Sequence, residues 1–403
     1  MSLALATVGA FSIGTAVHLP PSDTLDLQVD LGAKWVRIDL NWDLVEPAEG
    51  VWNWAPIDAV VDAAKQRGLR VYATLGYTPA WASTGDRKGD GATNDVPVAA
   101  KYRDFVVAAV TRYHATVDVF GTWNEPNLGQ FFEGTRDEWI DIVYKPCLEA
   151  VHQTCPTCVT AGPEVATISD QYANYIQAAL AAAVPTVLSA HIYASFPEDD
   201  AGAGLTKDSF YNKLDAHRVI PGIYEGPLSI RESAHAAGHD ELPIWITETG
   251  WQAAVGNATQ LEAQRKFVQR TLDAMETRSW WGGTIYYEAS EEHPGGAWPD
   301  IHYGLALRTS DPDATPLDDF QTKPAFDYLK MRLAAIGPST DAGTSVDDGG
   351  ATGDGHGTSG NNGDAGSSDP SHPAGCGCTT TRGADVLPLL VALGWLARRR
   401  RGR

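Results

Sequence analysis

Short apolar runs alternate with amphipathic stretches along residues 1–337. Eight of these runs are rich in β-branched and aromatic residues and are predicted to be strands: Phe11–His18, Lys34–Asp39, Leu69–Leu75, Val117–Trp123, Cys158–Ala161, Val187–Tyr193, Pro243–Thr247 and Gly283–Glu288. Amphipathic periods between and after the runs predict the helices Ala55–Arg67, Val98–Tyr113, Asp137–His152, Asp170–Ala183, Thr259–Glu276 and Pro324–Ile336. Such alternation is typical of β/α units around a parallel sheet.

Eight strand–helix units indicate the α/β class and, within it, a (β/α)8 TIM barrel. A barrel of this kind commonly takes about 250 residues plus insertions, so residues 1–337 suit one domain. Its functional side chains lie at the carboxyl ends of the strands. Polar residues at those strand ends are therefore the first candidates for a site.

The composition changes after Gly337. Residues 338–375 are mainly Gly, Ser, Thr, Asp and Pro, which cannot bury enough apolar surface to offset the entropy of ordering, so a disordered linker is predicted. Residues 376–403 hold two cysteines, the apolar run Val386–Ala397 and an Arg cluster. A helical run of that length spans about 18 Å against a hydrocarbon core of about 30 Å, so it is expected to anchor the chain rather than to cross a bilayer.

This tail resembles the bacterial C-terminal sorting tails of the myxobacterial type, which join a Cys motif, a short hydrophobic stretch and an Arg cluster. The resemblance implies that Cys376 or Cys378 is the processing or attachment point. The basic end favours the cytoplasmic side, which places the barrel outside the cytoplasm. We therefore expect an exported protein, secreted or attached to the cell surface or membrane, although Met1–Ala10 lacks the basic region of a signal peptide.

The chain is acidic, with a formal net charge of −21. Because an acidic surface repels phosphate backbones, nucleic acid is not an expected partner, whereas neutral sugars meet no such repulsion. Residues 1–337 contain no G-x-G-x-x-G pattern and no Walker loop, so nucleotide chemistry has no support. We expect a monomer that binds carbohydrate and uses no cofactor.

Three of the five cysteines, Cys147, Cys155 and Cys158, lie within twelve residues of one another. The C-x-x-C spacing of the last two occurs in redox pairs and in zinc sites, but no second pair completes a zinc site. A structural disulfide is expected instead, joining Cys147 to Cys155 or to Cys158. His235 and His239 have the spacing of a zinc helix without the Glu that should follow the first His, so we interpret them as surface helix residues and expect no metal site.

Two carboxylates stand at predicted strand ends, far apart in the sequence. Glu125 follows the fourth strand and precedes Pro126, and Glu248 follows the seventh strand and precedes a turn at Gly250. Cleavage of a glycosidic bond with retained configuration needs one carboxyl as proton donor and a second as nucleophile, about 5 Å apart. Most Glu residues are simply exposed loop acids. Two motifs in the same strand context favour the catalytic interpretation.

These motifs resemble those of the clan-A retaining glycoside hydrolases, over roughly residues 11–336. Trp123-Asn124-Glu125-Pro126-Asn127 is similar to family 39, and Ile246-Thr247-Glu248-Thr249-Gly250-Trp251 is similar to family 5. The resemblance implies that Glu125 is the acid/base and Glu248 the nucleophile.

The same resemblance implies roles for four more residues. Asn124 would bind the sugar 2-hydroxyl, and Arg37 would orient the nucleophile and keep it ionised. Tyr193 would donate to the nucleophile, and His191 would line the sugar subsite. The structural alternatives are a turn cap for Asn124, an ion pair at the barrel rim for Arg37 and a satisfied core histidine for His191.

Aromatic residues at strand ends or in the following loops are candidates for sugar subsites, because the C–H faces of sugars pack on aromatic rings. The candidates are Trp81, Trp251, Tyr287 and Trp298. Two features depart from the resemblance. The third strand lacks the His that family 5 often carries, and Tyr287 stands where many relatives place a Trp.

The sequence thus predicts a retaining glycosidase that cleaves O-glycosidic, β-linked bonds of a poly- or oligosaccharide. An alternative is a catalytically inactive barrel that binds carbohydrate at the cell surface, against which the retention of both Glu residues and of Asn124 argues. A different TIM-barrel enzyme is a third hypothesis, and the sequence offers it no phosphate-binding or Schiff-base signal.

Removal of residues 338–403 tests the predicted tail. Activity on a soluble substrate should stay essentially unchanged, because the last predicted helix of the barrel ends at Ile336. The full chain should fractionate with membranes or the cell surface, and the truncated chain should appear in the medium. Cell fractionation combined with an activity assay measures both. An identical distribution of the two forms would contradict the anchor, and loss of activity would place the domain boundary too early.

Overall fold

The structure, a computed structural model, describes residues 11–196, 209–216, 226–291, 302–309 and 319–336. By its internal contacts the chain divides into two units, Met1–Asp341 and Ala342–Arg403. Met1–Ala10, the predicted linker 338–375 and the predicted tail 376–403 lie outside the described residues. Among the residues that are described, no helix combines the length and the apolar character needed to cross a membrane.

Eight parallel strands pair in sequence order and close into a barrel. They are β1 Ser12–Ala16, β2 Trp35–Asn41, β3 Arg70–Gly76, β4 Val119–Gly121, β5 Val159–Ala166, β6 Val187–Ile192, β7 Ile244–Thr249 and β8 Trp281–Tyr286. Pairing of β1 with β8, where Ser12 lies opposite Gly283, closes the ring. The prediction of a (β/α)8 TIM barrel is confirmed.

Helices follow the strands along the described chain. They are α1 Ser22–Leu31, α2 Trp42–Val45, α3 Ala55–Gln66, α4 Ala99–Tyr113, α5 Arg136–Trp139, α6 Lys145–Thr154, α7 Tyr172–Ala182, α8 Ile230–Ala236, α9 Ala258–Glu276 and α10 Pro324–Ile336. A π-helical turn, Ile140–Tyr144, joins α5 to α6, so the predicted helix Asp137–His152 is one irregular rod. A small sheet of β9 Ser290–Glu291, β10 Ala306–Arg308 and β11 Phe320–Thr322 lies beyond β8.

Three helices, α1, α2 and α8, were not among the predicted helical periods, although His235 and His239 were interpreted as helix residues. Helix α8 is only seven residues long, which is too short for a clear apolar period. Its beginning nevertheless carries a capping box, in which Ser229 accepts from the Glu232 N–H and the Glu232 side chain accepts from the Ser229 N–H. The S-x-x-E spacing was the signal for this helix. His235 lies on α8, exposed and paired with Asp240, whereas His239 follows the end of the helix.

Large aromatic side chains fill the barrel near the amino ends of its strands. Trp35 of β2 and Trp245 of β7 pack edge to face with ring centroids 4.8 Å apart, beside Tyr72 of β3. These three side chains are at most 2% exposed. Because side chains alternate along a strand, Arg37 projects to the same side as Trp35 but nearer the carboxyl end. The aromatic side chains therefore form a buried apolar layer beneath the polar side chains at the strand ends.

Strand β5 is longer than the predicted segment Cys158–Ala161 and continues to Ala166. A Gly-Pro pair ordinarily marks a turn. Here the strand passes through Gly162-Pro163, and its register against β6 shifts between Pro163 and Val165. The extension brings Glu164 into the barrel.

The expected disulfide partner was wrong. The bond joins Cys155 to Cys158 in the turn between α6 and β5, and Cys147 is a buried free thiol. Cys147 lies in the first turn of α6, and Cys155 is the residue that follows the end of this helix. Eight residues of helix separate their Cα atoms by about 12 Å along the axis. Disulfides require Cα atoms within about 7 Å, so the helical geometry excludes a bond from Cys147 to Cys155. Cys158, the other expected partner of Cys147, is bonded to Cys155.

Candidate active site

The guanidinium of Arg37 lies at the centre of the polar cluster and is only 2% exposed. Its Nη1 donates to Glu248 Oε2 over 2.8 Å. Its Nη2 donates to Asn124 Oδ1 over 2.8 Å and to Glu164 Oε2 over 3.1 Å. Its Nε donates to Thr74 Oγ1 over 3.2 Å. One buried cation therefore connects β2, β3, β5, β7 and the end of β4.

Glu125 and Glu248 lie side by side with His191 between them. His191 Nδ1 is 2.9 Å from Glu125 Oε1 and 3.5 Å from Glu248 Oε2. One carboxylate oxygen of Glu125 and one of Glu248 lie within 4.8 Å of each other. Oxygens this close are compatible with the roughly 5–5.5 Å between the carboxyl groups of retaining glycosidases. Tyr193 donates its hydroxyl to Glu248 Oε1 over 2.6 Å.

Irregular backbone aims these carboxylates into the barrel mouth. Glu125 has a φ of 43°, an uncommon value for a residue with a side chain, and its N–H donates to the Glu164 carbonyl over 3.0 Å. In β7 the register against β8 shifts between Ile246 and Thr249, around Glu248. Such shifts occur often beside active sites, where they re-aim a side chain that regular alternation would direct elsewhere.

The surroundings give the two carboxyls opposite proton affinities. Burial raises the pKa of Glu125, and the charge of Glu248 adds to that effect against the opposing hydrogen bond from His191. Burial alone would also raise the pKa of Glu248, but the charges of His191 and Arg37 outweigh it and hold that pKa below its usual range. The two groups are thus suited to different tasks, Glu125 to hold a proton and Glu248 to stay ionised.

His191 is cationic at neutral pH. Burial lowers its pKa, but the charge of Glu248 and the interactions with Glu125 and Glu164 outweigh burial and raise it to about 9. His191 and Arg37 are the two positive charges that keep Glu248 ionised. His191 is fully buried and hydrogen-bonded, as the alternative of a satisfied core histidine expected, and its contacts are with the two carboxyls.

Glu164 is a member of the cluster that the sequence did not reveal. Its carboxylate is fully buried and accepts from Arg37 and, over 2.6 Å, from the hydroxyl of Tyr72. Its Oε2 also lies 3.7 Å from His191 Nε2. Gly121 on β4 leaves the space for it, because a Cβ there would come within 1.9 Å of Glu164 Oε1. The useful signals were a charged residue in an apolar strand and the Gly at position 121.

His18 and Asp39 form a second ion pair at the barrel mouth that sequence reasoning missed. His18 Nδ1 is 2.6 Å from Asp39 Oδ2, and the charge of Asp39 overcomes burial to raise the pKa of His18 to about 9. The His18 ring packs edge-on against Tyr287, whose ring centroid is 6.4 Å from that of Tyr193. Tyr287, predicted for a subsite, therefore lies beside the Tyr193–Glu248 hydrogen bond.

The tryptophans predicted for sugar subsites contact residues other than the two carboxyls. Trp81 donates its ring N–H to the Glu46 carbonyl over 2.8 Å and packs against Trp42, under Lys101. Trp251 packs against Phe267 in the core. Within the described part of the chain, neither ring contacts Glu125 or Glu248. Trp298 lies outside the described residues, and all three subsite roles stay predictions.

Two groups of acidic and histidine side chains in the described residues lie close enough to share a metal ion. The first is the Glu125–His191–Glu248 cluster, where the adjacent guanidinium of Arg37 would repel a cation. The second, Asp86, Asp95 and Glu133, lies in the loops after β3 and β4.

The barrel and its pair of strand-end carboxyls define the class of glycoside hydrolases. The chain belongs to the Cellulase family, glycosyl hydrolase family 5, which it matches over residues 9–283. It is 24% identical over 264 residues to a β-xylosidase of Geobacillus stearothermophilus, a match that covers 60% of this chain and 51% of that protein. The chain thus spans about half the length of this curated relative.

Solved structures share the fold. A family 39 glycoside hydrolase from the gut symbiont Bacteroides cellulosilyticus superposes with a TM-score of 0.57 at 18% identity, covering 82% of this chain and 65% of that one. A monomeric β-xylosidase from Caulobacter crescentus gives the same TM-score and identity, with 81% and 69% coverage. At such identities the likeness extends to the architecture alone.

Replacement Glu164→Gln tests the role of the unpredicted carboxylate. It removes the buried anion that faces both Arg37 and His191, so the guanidinium should no longer be held on Glu248 and kcat/KM should fall on the order of 100-fold. The matched control is Asp118→Asn, which weakens the pair with Arg70 at the opposite end of the barrel and should lower the melting temperature without such a loss. Steady-state kinetics and thermal melts of both variants provide the comparison. Equal kcat/KM in Glu164→Gln and wild type would contradict the positioning role.

Proposed function

We propose that the protein is a retaining glycoside hydrolase that cleaves β-linked bonds of an oligo- or polysaccharide by double displacement. The observation that carries the proposal is the close pair of unequal carboxyls, Glu125 with a raised pKa and Glu248 with a lowered one, within 4.8 Å of each other. Retaining hydrolysis needs this combination of distance and charge.

In the first step Glu248 attacks the anomeric carbon and the bond to the leaving oxygen breaks, while Glu125 gives its proton to that oxygen. The product is a glycosyl ester on Glu248. In the second step a water molecule gives a proton to Glu125 and attacks the same carbon, which frees Glu248. The configuration is inverted twice and so retained.

The neighbouring side chains have matching tasks. Arg37 and Tyr193 bind the two oxygens of Glu248, which orients the carboxylate for attack. Asn124, held by Arg37 through its side-chain oxygen, keeps its amide N–H groups free to donate to a sugar hydroxyl. The sugar 2-hydroxyl is the natural acceptor, and such a contact strengthens as the transition state forms.

The proposed substrate is a neutral β-glycan, in keeping with the charge of −21, which disfavours polyanions. The relative named β-xylosidase and the family named Cellulase make aryl β-xylosides and aryl β-glucosides the first substrates to test. Both carboxyls and their supporting residues are present, which argues against the alternative of an inactive binding barrel.

From residues 376–403 alone we propose that the enzyme is exported and held at the cell surface or membrane through its tail. The proposed oligomeric state is a monomer. An outer location would give a glycosidase access to extracellular polysaccharide.

Two variants separate the roles of the carboxyls. Glu248→Gln should lose turnover on every substrate, because nothing replaces the nucleophile. Glu125→Ala should lose about 10²–10⁴-fold on a natural glycan but much less on an aryl glycoside whose leaving group needs no proton. Azide should rescue Glu125→Ala and yield a β-glycosyl azide, since a small anion can attack without a general base. Anomeric NMR of the products identifies it. Equal loss in both variants with no rescue would reverse or remove the assignment.

The pH dependence follows from the directions of the two pKa shifts. Glu248 must be ionised to attack, so activity should fall as the pH drops through its lowered pKa. Glu125 must be protonated to donate, so activity should fall as the pH rises through its raised pKa. A plot of kcat/KM against pH should be bell-shaped for wild type. With an activated aryl glycoside, Glu125→Ala should keep the acidic limb and lose the basic one. Persistence of the basic limb in that variant would assign it to another group.

A further inference from the structure

Three carboxylates meet in the loops that follow β3 and β4, apart from the site around Arg37. One oxygen each of Asp86, Asp95 and Glu133 lies within 4.8 Å of the other two. Asp86 is exposed, Glu133 is half-buried and Asp95 is only 4% exposed. Three like charges this close repel one another unless a cation or protons lie between them.

Asp95 has no partner for its charge. Its Oδ1 is buried without a hydrogen bond, and among the described residues no Lys, Arg or His nitrogen pairs with it. The basic side chains of the same loop are directed elsewhere, Arg87 to Glu138 and Lys88 to the Gly129 carbonyl. Burying an ionised carboxylate without a partner costs free energy. A cation bound beside Asp95 would offset that cost.

The neighbouring residue repeats this pattern. Asn94 is 3% exposed, and its Oδ1 is likewise buried without a hydrogen-bond partner. Its Nδ2 donates to the carbonyls of Gly129 and Gln130, which fixes the amide with its oxygen turned away from them. Two consecutive residues thus bury a side-chain oxygen that lacks a donor, and the second of them, Asp95, belongs to the carboxylate cluster.

The geometry points to a calcium site formed by Asp86, Asp95 and Glu133. Calcium takes six to eight oxygen ligands, including carboxylates, amide oxygens and water, in flexible geometry. The exposed side of Asp86 leaves room for water ligands. Asp86 and Glu133 already accept backbone N–H groups of the loop, which holds their carboxylates in place while lone pairs stay open to a cation.

The site would join two loops that border the barrel mouth. Thr78, just after β3, donates its hydroxyl to the Asp95 carbonyl over 2.6 Å, and the Glu133 N–H donates to the Asn94 carbonyl over 2.9 Å. The loop that carries Glu133 also holds Glu125, whose carbonyl accepts from the Leu128 N–H. Calcium would therefore cross-link the loop after β3 to the loop after the predicted acid/base residue and stiffen both.

Calorimetry and thermal melts of the full chain test the site. After treatment with EDTA and its removal, CaCl2 should give a saturable binding heat, and excess calcium at about 100 times Kd should raise the melting temperature by roughly 3–5 °C. Trypsin should cut after Arg87 or Lys88 faster in EDTA than in calcium, because both residues lie on the exposed loop.

Asp95→Asn is the decisive variant, with Asp137→Asn, an exposed acid outside the cluster, as its control. Asp95→Asn should lose the binding heat and the calcium-induced shift, yet in EDTA it should melt at or above the wild-type temperature, since an unpaired buried charge has been removed. Asp137→Asn should behave as wild type. Should Asp95→Asn not fold, Glu133→Gln must lose the calcium shift instead. Absence of binding heat in wild type, an equal shift with magnesium, or a calcium shift retained in the folded variant would overturn the assignment.

Discussion

The structure depends on one buried cation. Arg37 stands above the buried apolar layer of aromatic side chains, where an uncompensated charge would be strongly unfavourable, and its partners come from four other strands or strand ends. Loss of one partner of a buried ion pair commonly costs about 3–5 kcal/mol. The guanidinium therefore fixes the relative positions of Glu164, Glu248 and Asn124.

The same cation divides the labour between the two carboxyls. Arg37 donates to Glu248, whereas Glu125 shares a hydrogen bond with Nδ1 of His191. Both carboxyls are buried, and burial alone would favour the protonated form of each. The charge of His191 and, next, that of Arg37 hold the pKa of Glu248 down and so break that equality in favour of ionised Glu248. The carboxylate of Glu164 lies close to both Arg37 and His191. Its negative charge offsets the repulsion between these two buried cations.

The barrel and the two principal carboxyls could be predicted because they follow from local patterns: apolar strand periods, and Glu beside turn residues at strand ends. Glu164 could not, because a Gly-Pro pair within β5 has the local signature of a turn, and only pairing with β4 and β6 keeps the chain extended. The prediction of the disulfide was wrong because the rise of the helix separates Cys147 from Cys155. The spacing of the cysteines in the sequence does not show that separation. Asp95 joins Asp86 and Glu133 only through loop folding, which leaves no periodic signal in the sequence.

The central claim is that Glu248, held ionised by Arg37, attacks the sugar. A 2-deoxy-2-fluoro-β-glycoside with an activated leaving group tests it most directly, because the fluorine slows release of the glycosyl ester enough to isolate it. Intact-mass and peptide-mapping mass spectrometry should find one fluorosugar per chain, attached to Glu248, and none in Glu248→Gln. A label on Glu125, or an unlabelled enzyme that gives product of inverted configuration from an ordinary substrate, would contradict the account.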